Sequence, residues 1–317
     1  MSLYIKQYGK VPQRNYLHIF VGFLFLFVSI GSLFFLVRTL KKTETITPFP
    51  KNFASEQKVK ILFPKKKNPD TLKKIVSEIL SNKFDTYSVI VQSYTEDFSL
   101  RINDSAIFTA ASINKLPIIV TLYDAVQRGT LKLEDTATVQ ADDIQAYGTG
   151  SLQYEGAGGA YTLKTLARLM INESDNTAAH ILGTSVLGLP IIQKKIESLG
   201  LVSTNMEDNT TTNKDMAFLL KKLSDKVIVN PTYTQEIFGY MKNTSYEDRL
   251  PALLPKDAVV YHKVGTAIGE IHDIGIVSTP RFTYYVGIMT KGTLDEEAGG
   301  KAIGEISKQI YDFMAND

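Results

Sequence analysis

The stretches of this chain with strand character stand at two widely separated places, and that separation limits the folds open to it. Tyr87 to Ser93 and Phe98 to Ile102, on either side of a turn at Thr95-Glu96-Asp97, read as strands. The next runs of that kind, Val259 to Val264, Ile271 to Ser278 and Thr283 to Thr290, come only near the C-terminus. Between them the apolar spacing is helical: Ser112 to Gln127 up to Gly129, Leu163 to Met170, Asn176 to Leu182, Ile191 to Leu199, and Lys214 to Leu223. A helix over Pro69 to Ser81 precedes the first strands, and another over Glu296 to Met314 closes the chain. Strands at both ends with helices between predict an α+β fold: one antiparallel sheet built from distant segments and flanked by helices, with an all-helical subdomain inserted. No internal repeat is visible.

Ahead of this pattern lies a segment of another kind. Residues 16–37, twenty-two in all, contain no Asp, Glu, Lys or Arg. As a helix they would reach roughly 33 Å, enough for the hydrocarbon core of a bilayer. Lys6, Lys10 and Arg14 precede them, as in a signal peptide, but the run ends in Val37-Arg38-Thr39-Leu40-Lys41-Lys42 with no small-x-small cleavage site. A retained transmembrane anchor over residues 16–40 is therefore expected rather than a cleaved leader. Arg38, Lys41, Lys42 and Lys51 beyond it outweigh the bases before it, so the charge rule does not settle orientation. Residues 41–68, rich in Thr, Pro and Lys, read as a basic linker, either a plain tether or a stretch that rests on anionic surfaces. The expected divisions are a cytoplasmic tail (1–15), the anchor (16–40), the linker (41–68) and a folded domain (69–317).

Charge follows the same division. Residues 1–67 hold 12 Lys and Arg against Glu44 and Glu56, whereas the remainder holds 23 bases against 31 acids. A folded part of net negative charge is a poor partner for nucleic acid, and none is expected. The absence of Cys removes disulfides, thiolate metal sites and a cysteine nucleophile. Four scattered His residues offer no metal-ligand spacing, so neither metal nor cofactor is expected.

Three short strings carry chemistry. In Ser112-Ile113-Asn114-Lys115, a helix would bring the serine and the lysine three residues on to one face. A neutral or partly desolvated lysine is then the base that an unactivated serine needs. The same spacing recurs at Ser55 to Lys58 without a helical pattern, so the string means little by itself. Ser174-Asp175-Asn176 enters a helix; Asp175 suits an N-cap, while Ser174 suits a proton relay to a leaving nitrogen and Asn176 an amide for a substrate carbonyl. Lys263-Val264-Gly265-Thr266 ends a strand. There the Thr266 N–H would join the Ser112 N–H as an oxyanion donor, Gly265 would allow close approach, and Lys263 would hold positive potential near a substrate carboxylate. Tyr147, in Ala146-Tyr147-Gly148-Thr149-Gly150, is a candidate for the mouth of the site or a plain loop tyrosine.

Together the three strings resemble the motif triplet of the serine penicillin-recognising enzymes, which includes class A β-lactamases and penicillin-binding proteins. The similarity extends to Arg168 through Ala179, Asn209 through Thr212, His272 through Val277 and the C-terminal helix, and so covers about residues 69–317. It implies a β-lactamase/transpeptidase-like fold with Ser112, Lys115 and Ser174 catalytic, and Asn176, Lys263, Gly265, Thr266 and Tyr147 binding substrate. Two departures stand out. Val264 occupies a position where the family usually has a hydroxyl residue for the substrate carboxylate, a role that Thr266 is placed to share. The passage from Gly200 to Asn209 is short where class A enzymes carry the loop glutamate that activates the deacylating water, leaving Glu207 as the candidate acid, or an ordinary turn residue.

The resemblance implies a serine hydrolase opening β-lactam amides through an acyl-enzyme on Ser112; with the anchor read from residues 16–40, and an activity useful only outside the cytoplasm, a membrane-anchored monomer with its domain on the exterior face of the cell membrane is expected. A D-alanyl-D-alanine peptidase, or a slowly deacylating penicillin-binding protein acting on peptidoglycan stems, is the alternative. A non-turnover sensor of wall fragments is a third reading, opposed by the intact Ser112, Lys115 and Ser174.

Overall fold

The computed structural model describes residues 67–293 and 295–316. The expected anchor at 16–40, the tail before it and nearly all of the linker lie outside these residues. Among the described residues, no helix is long and apolar enough to cross a membrane.

The first helix, α1 (Pro69–Leu80), starts where Asn68 accepts a hydrogen bond from the Asp70 N–H and proline occupies the first turn. Strands β1 (Thr86–Ser93), β2 (Ser99–Ile102) and β3 (Ile107–Thr109) follow. A short 3₁₀ turn, Ala111–Asn114, then feeds α2 (Lys115–Gln127). Residues 115–125 of α2 are all buried, as expected of a helix that is apolar around most of its circumference. The helical region continues through β4 (Thr136–Thr138), β5 (Ala160–Thr162), α3 (Leu163–Asn172), α4 (Asn176–His180), a π-helical stretch Ile181–Leu187, and α5 (Leu189–Ser198). After β6 (Thr210–Thr212) come α6 (Asn213–Ser224) and α7 (Pro231–Tyr240). The chain ends with β7 (Val259–Ala267), β8 (Glu270–Ser278), β9 (Thr283–Lys291) and α8 (Glu296–Ala315).

The main sheet has the order β2-β1-β9-β8-β7 and is antiparallel throughout, so the distant strands meet where β1 pairs with β9. Alternation on the strands sends neighbouring residues to opposite layers. Val89 and Val91 of β1 join Leu72, Val76 and Leu80 of α1 and Ile303, Ile306 and Ile310 of α8 in one core. Ile90 faces the other core, with Ile119, Leu122, Leu166, Met170 and Leu220 of the helical part. The sheet is thus covered on both faces, and the α+β reading with an inserted helical subdomain agrees with the structure. Asn213, fully buried at the start of α6, satisfies its amide through Ser88 Oγ and the Gly287 carbonyl and accepts from the Tyr285 hydroxyl, tying α6 to the sheet.

The structure differs from the sequence reading at several points. Ser112 lies on the 3₁₀ turn, and the α-helix proper begins at Lys115. The helix expected to run from Asn176 to Leu182 widens to π geometry after His180. The three-residue strands and α7 carry too little periodicity to be read from sequence.

Candidate active site

The turn that bears Ser112 is held from several sides. Ala111 has φ +47°, an uncommon backbone state for a residue with a side chain and one that surrounding contacts must impose. The Ala110 N–H donates to the Asn209 carbonyl (2.7 Å), and Asn114 Nδ2 donates to Asn209 Oδ1 (2.8 Å). Just upstream, the Thr109 N–H and hydroxyl both donate to the Glu270 carboxylate at 2.9 and 3.0 Å. The Thr290 N–H donates to His272 Nδ1, which leaves Nε2 to donate to the Thr109 carbonyl at 2.9 Å. Burial alone would raise Glu270, but the neighbouring His272 and the hydrogen bonds from Thr109 outweigh it and bring its pKa down to about 2. Gly265 lets β7 pass close to the turn: a Cβ there would lie 3.0 Å from the Ala110 carbonyl oxygen.

In a 3₁₀ turn, residues i and i+3 eclipse. Lys115 Nζ accordingly lies 2.9 Å from Ser112 Oγ. It also lies 2.6 Å from the Ser174 carbonyl, 2.7 Å from Asn176 Oδ1 and 3.2 Å from Ser174 Oγ. Burial lowers the Lys115 pKa to about 7, against an opposing pull from Asp175. A neutral amine has two N–H bonds and one lone pair. The Ser174 carbonyl and the Asn176 amide oxygen can only accept, so they take the two hydrogens, and the lone pair is left for a serine hydroxyl.

Ser174 sits at φ +56° immediately before α4. Its carbonyl accepts from Thr149 Oγ1 (2.8 Å) as well as from Lys115. Asp175 is the helix cap, accepting from the Ala178 N–H through Oδ1, and it also accepts from the Leu152 N–H through Oδ2. Gly150, at φ +111°, makes this packing feasible, since a Cβ there would fall 2.2 Å from the Asp175 carboxyl. Asn176 spends its amide within the protein, accepting from Lys115 and donating Nδ2 to the Tyr147 carbonyl at 3.0 Å. It therefore orients the lysine and the Tyr147 loop, a task additional to the substrate contact expected from the sequence.

β7 is an edge strand of the sheet, as the sequence suggested. Lys263 is buried, with Nζ donating to Ser174 Oγ (2.9 Å) and to the Val264 carbonyl (3.3 Å). Burial and then the neighbouring Lys115 push its pKa well below the ordinary lysine value. It thus acts on the Ser174 hydroxyl from behind, where the sequence reading placed a charge directed at the substrate. Val264 is buried as well, while Thr266 is exposed on the cleft.

The cleft in front of these groups has a volume of about 490 Å³. Ser112, Lys115, Tyr147, Asn176 and Thr266 line it; Ser174, Lys263 and Gly265 stand just behind. Glu207 does not reach it. Its side chain is exposed in a neighbouring groove with Pro190, Gln193 and Lys194, while the adjacent Met206, nearly fully buried, lines both that groove and the cleft. Glu207 is therefore displaced from the deacylation role by the direction its short loop imposes: Asn205 Oδ1 accepts from both the Glu207 and Asp208 N–H groups and turns their side chains outward. Among the described residues no group of His, Cys, Asp and Glu is arranged to hold a metal.

Sequence reasoning missed two residues at this site. Arg249, buried in the segment before β7, donates to the Gly265 and His272 carbonyls (3.1 and 2.8 Å) and to Thr266 Oγ1 (2.7 Å). None of these partners carries negative charge, and no sequence motif marks the position. His180, one helical turn beyond Asn176, also lines the cleft, and the single helical spacing from Asn176 was the signal for it.

A model described as the beta-lactamase enzyme family matches residues 71–314. The chain is 25% identical over 267 residues to the extended-spectrum beta-lactamase PER-1 of Pseudomonas aeruginosa, covering 76% of this chain and 87% of that protein. Among solved structures it is similar to a mutant of PBP-A in an acyl-enzyme complex with penicillin G, with a TM-score of 0.73 and 28% identity over 77% of this chain and 96% of the other. A beta-lactamase from Sphaerobacter thermophilus gives a TM-score of 0.73 at 25% identity, over 78% and 98% of the two chains. The chain belongs to the beta-lactamase enzyme family and is a serine hydrolase of the class A kind.

Proposed function

We propose that this protein opens β-lactam amides through an acyl-enzyme on Ser112. The observation that carries the reading is the Lys115 Nζ between Ser112 Oγ and Ser174 Oγ, in a pocket dry enough to bring the pKa of that amine down to about 7. Ser112 Oγ attacks the amide carbonyl carbon while Lys115 takes its proton. The C–N bond breaks, and the proton passes by Ser174 Oγ to the departing nitrogen. Lys263 fixes Ser174 Oγ for that transfer. The Ser112 and Thr266 N–H groups are the oxyanion donors, and Asn176 and Tyr147 border the bound acyl chain. Arg249 takes over from the absent hydroxyl at Val264: a buried guanidinium with only neutral partners, joined to the cleft by the Thr266 hydroxyl, suits the substrate carboxylate.

One observation favours a second reading, a long-lived acyl-enzyme formed on peptidoglycan stems ending in D-alanyl-D-alanine. No carboxylate stands among the described residues lining the cleft, and Met206 faces it in place of an acid. The likeness to PBP-A, a mutant of which forms an acyl-enzyme complex with penicillin G, agrees with that reading.

Incubating the full chain with penicillin G and following protein mass and free drug distinguishes the two. Rapid drug loss supports the first and a persistent adduct on Ser112 the second; absence of any adduct would sink both. The topology belongs to the same proposal: residues 16–40 anchor a monomer whose domain lies outside the cytoplasm, where amides of the cell wall are found. Protease digestion of intact cells should remove the domain, and full protection would overturn that placement.

A further inference from the structure

The cleft holds a titratable side chain that acylation does not use. Among the described residues, the ionisable ones lining it are Lys115, Tyr147 and His180. Tyr147 lies at the exposed mouth. Lys115 has both amine hydrogens committed to the Ser174 and Asn176 oxygens and its lone pair turned to the serines. His180 is different. It is half-buried at the end of α4, four residues after Asn176 and so on the same helical face, directed into the cavity that contains Ser112.

Its ring is also supported from behind. Nε2 lies 3.9 Å from Asp143 Oδ1. Asp143 is buried and is itself fixed, Oδ1 accepting from Ser185 Oγ (3.1 Å) and Oδ2 from the Gln140 N–H (2.9 Å). With that carboxylate on the Nε2 side, the other ring nitrogen is left to act on water. Among the described residues, Asp143 of the 141–143 turn approaches the ring, and Lys115 of α2 lines the same cleft together with the apolar Met206 and Leu189.

Resting on the acyl-enzyme reading above, we infer that His180 is the base for the water that releases the acyl group. Water oxygen attacks the ester carbon and His180 takes its proton. The bond from that carbon to Ser112 Oγ then breaks, and the proton returns from His180 through solvent to Oγ, restoring the serine and freeing the carboxylic acid. No other reactant is needed.

The test uses the full chain, with penicillin G as probe. Mass spectrometry follows the growth and decay of the Ser112 adduct between pH 5 and 8 in the wild type, His180→Asn and His180→Gln. Wild-type decay should quicken as pH rises across this window. Both variants should trap the adduct, lose that pH-dependent limb, and release acyl group about 100-fold more slowly. Three results would overturn the assignment: a flat wild-type profile, variants that keep the limb (which would give it to Lys115), or variants that fail to acylate, which would put His180 in the first half-reaction. Absence of an adduct in the wild type would also remove the acyl-enzyme reading itself, so the two failures are distinguishable.

Discussion

On one side of the cleft, Lys115 Nζ meets four oxygen atoms within 3.2 Å, and each of those groups is anchored in turn by helix α4, the 147–150 loop or strand β7. On the other side, Met206, Leu189 and Gly183 present carbon, and among the described residues there His180 is the one with an ionisable side chain. The first wall is preorganised to move a proton off serine. The second wall has almost nothing with which to move a proton off water. In a two-step hydrolase this asymmetry falls on the two half-reactions: acylation is specified by a dense buried network, and deacylation by few groups.

The largest effects should come from breaking the first wall. Ser112→Ala should abolish the adduct and cut turnover by at least about 10⁴-fold, since the remaining donors have no covalent intermediate to stabilise. Stopped-flow drug consumption measures the loss. Lys115→Arg should slow acylation by about 10²–10⁴-fold, because a guanidinium cannot be deprotonated and has no lone pair to offer. In the wild type the acylation rate should rise with pH through about 7, as the Lys115 ammonium loses its proton. That limb should disappear in Lys115→Arg; an unchanged profile would take the base role from this lysine.

The dense wall was also the part most legible in the sequence. Ser112, Lys115, Ser174 and Lys263 fall in short strings whose spacing follows from backbone geometry, and long periodic segments such as α1 and β9 are nearly where their patterns put them. The sparse wall was not legible. Whether Met206 or Glu207 faces inward depends on an Asn205 side chain capping two N–H groups, a detail that residue types do not carry. Arg249 reaches the site by packing of the segment before β7 against the sheet, with no local signal. The burial of Lys263 likewise comes from tertiary packing, since a lysine at a strand end gives no sign that its Nζ is enclosed.

Support beneath the dense wall can be tested separately from its chemistry. Gly150→Ala must place a Cβ 2.2 Å from the Asp175 carboxyl at φ +111°. Strain and overpacking together should cost about 3 kcal/mol, visible as a lower denaturant midpoint. A second support is the His262 pair behind Lys263. Burial alone would lower His262, but Asp273, with Nδ1 2.9 Å from its carboxylate, and Glu247 raise it to about 9. A folded-state value above the unfolded one of about 6.5 makes this contribution complete below about pH 6.5, and it is lost as pH rises through 9. It should amount to about 3 kcal/mol. Lys115 has the opposite sign, its lowered value making the fold gain stability above pH 7. Comparing wild type with His262→Gln in denaturant melts from pH 6 to 9.5 isolates the histidine: the gap between them should narrow with rising pH, and a constant gap would remove the linkage.

The smallest predicted effect bears directly on the asymmetry. Met206 is only 5% exposed and faces the cleft. A carboxylate in its place would be partly desolvated, which raises its pKa and makes it a stronger base once ionised. Met206→Glu should therefore shorten the life of the penicillin adduct by about tenfold, below the 10²–10⁴ range for an optimised general base because nothing in the wall orients the new group. Met206→Gln is the control, with the same length and polarity but no basic oxygen. If Glu accelerates decay and Gln does not, proton transfer from water limits release, and the new carboxylate adds to what His180 supplies. Equal acceleration by both would mean that the methionine limits water entry, and the contrast between the walls would then be one of hydration. No change in either would show that deacylation is governed elsewhere, and the apolar character of that wall would lose its kinetic meaning.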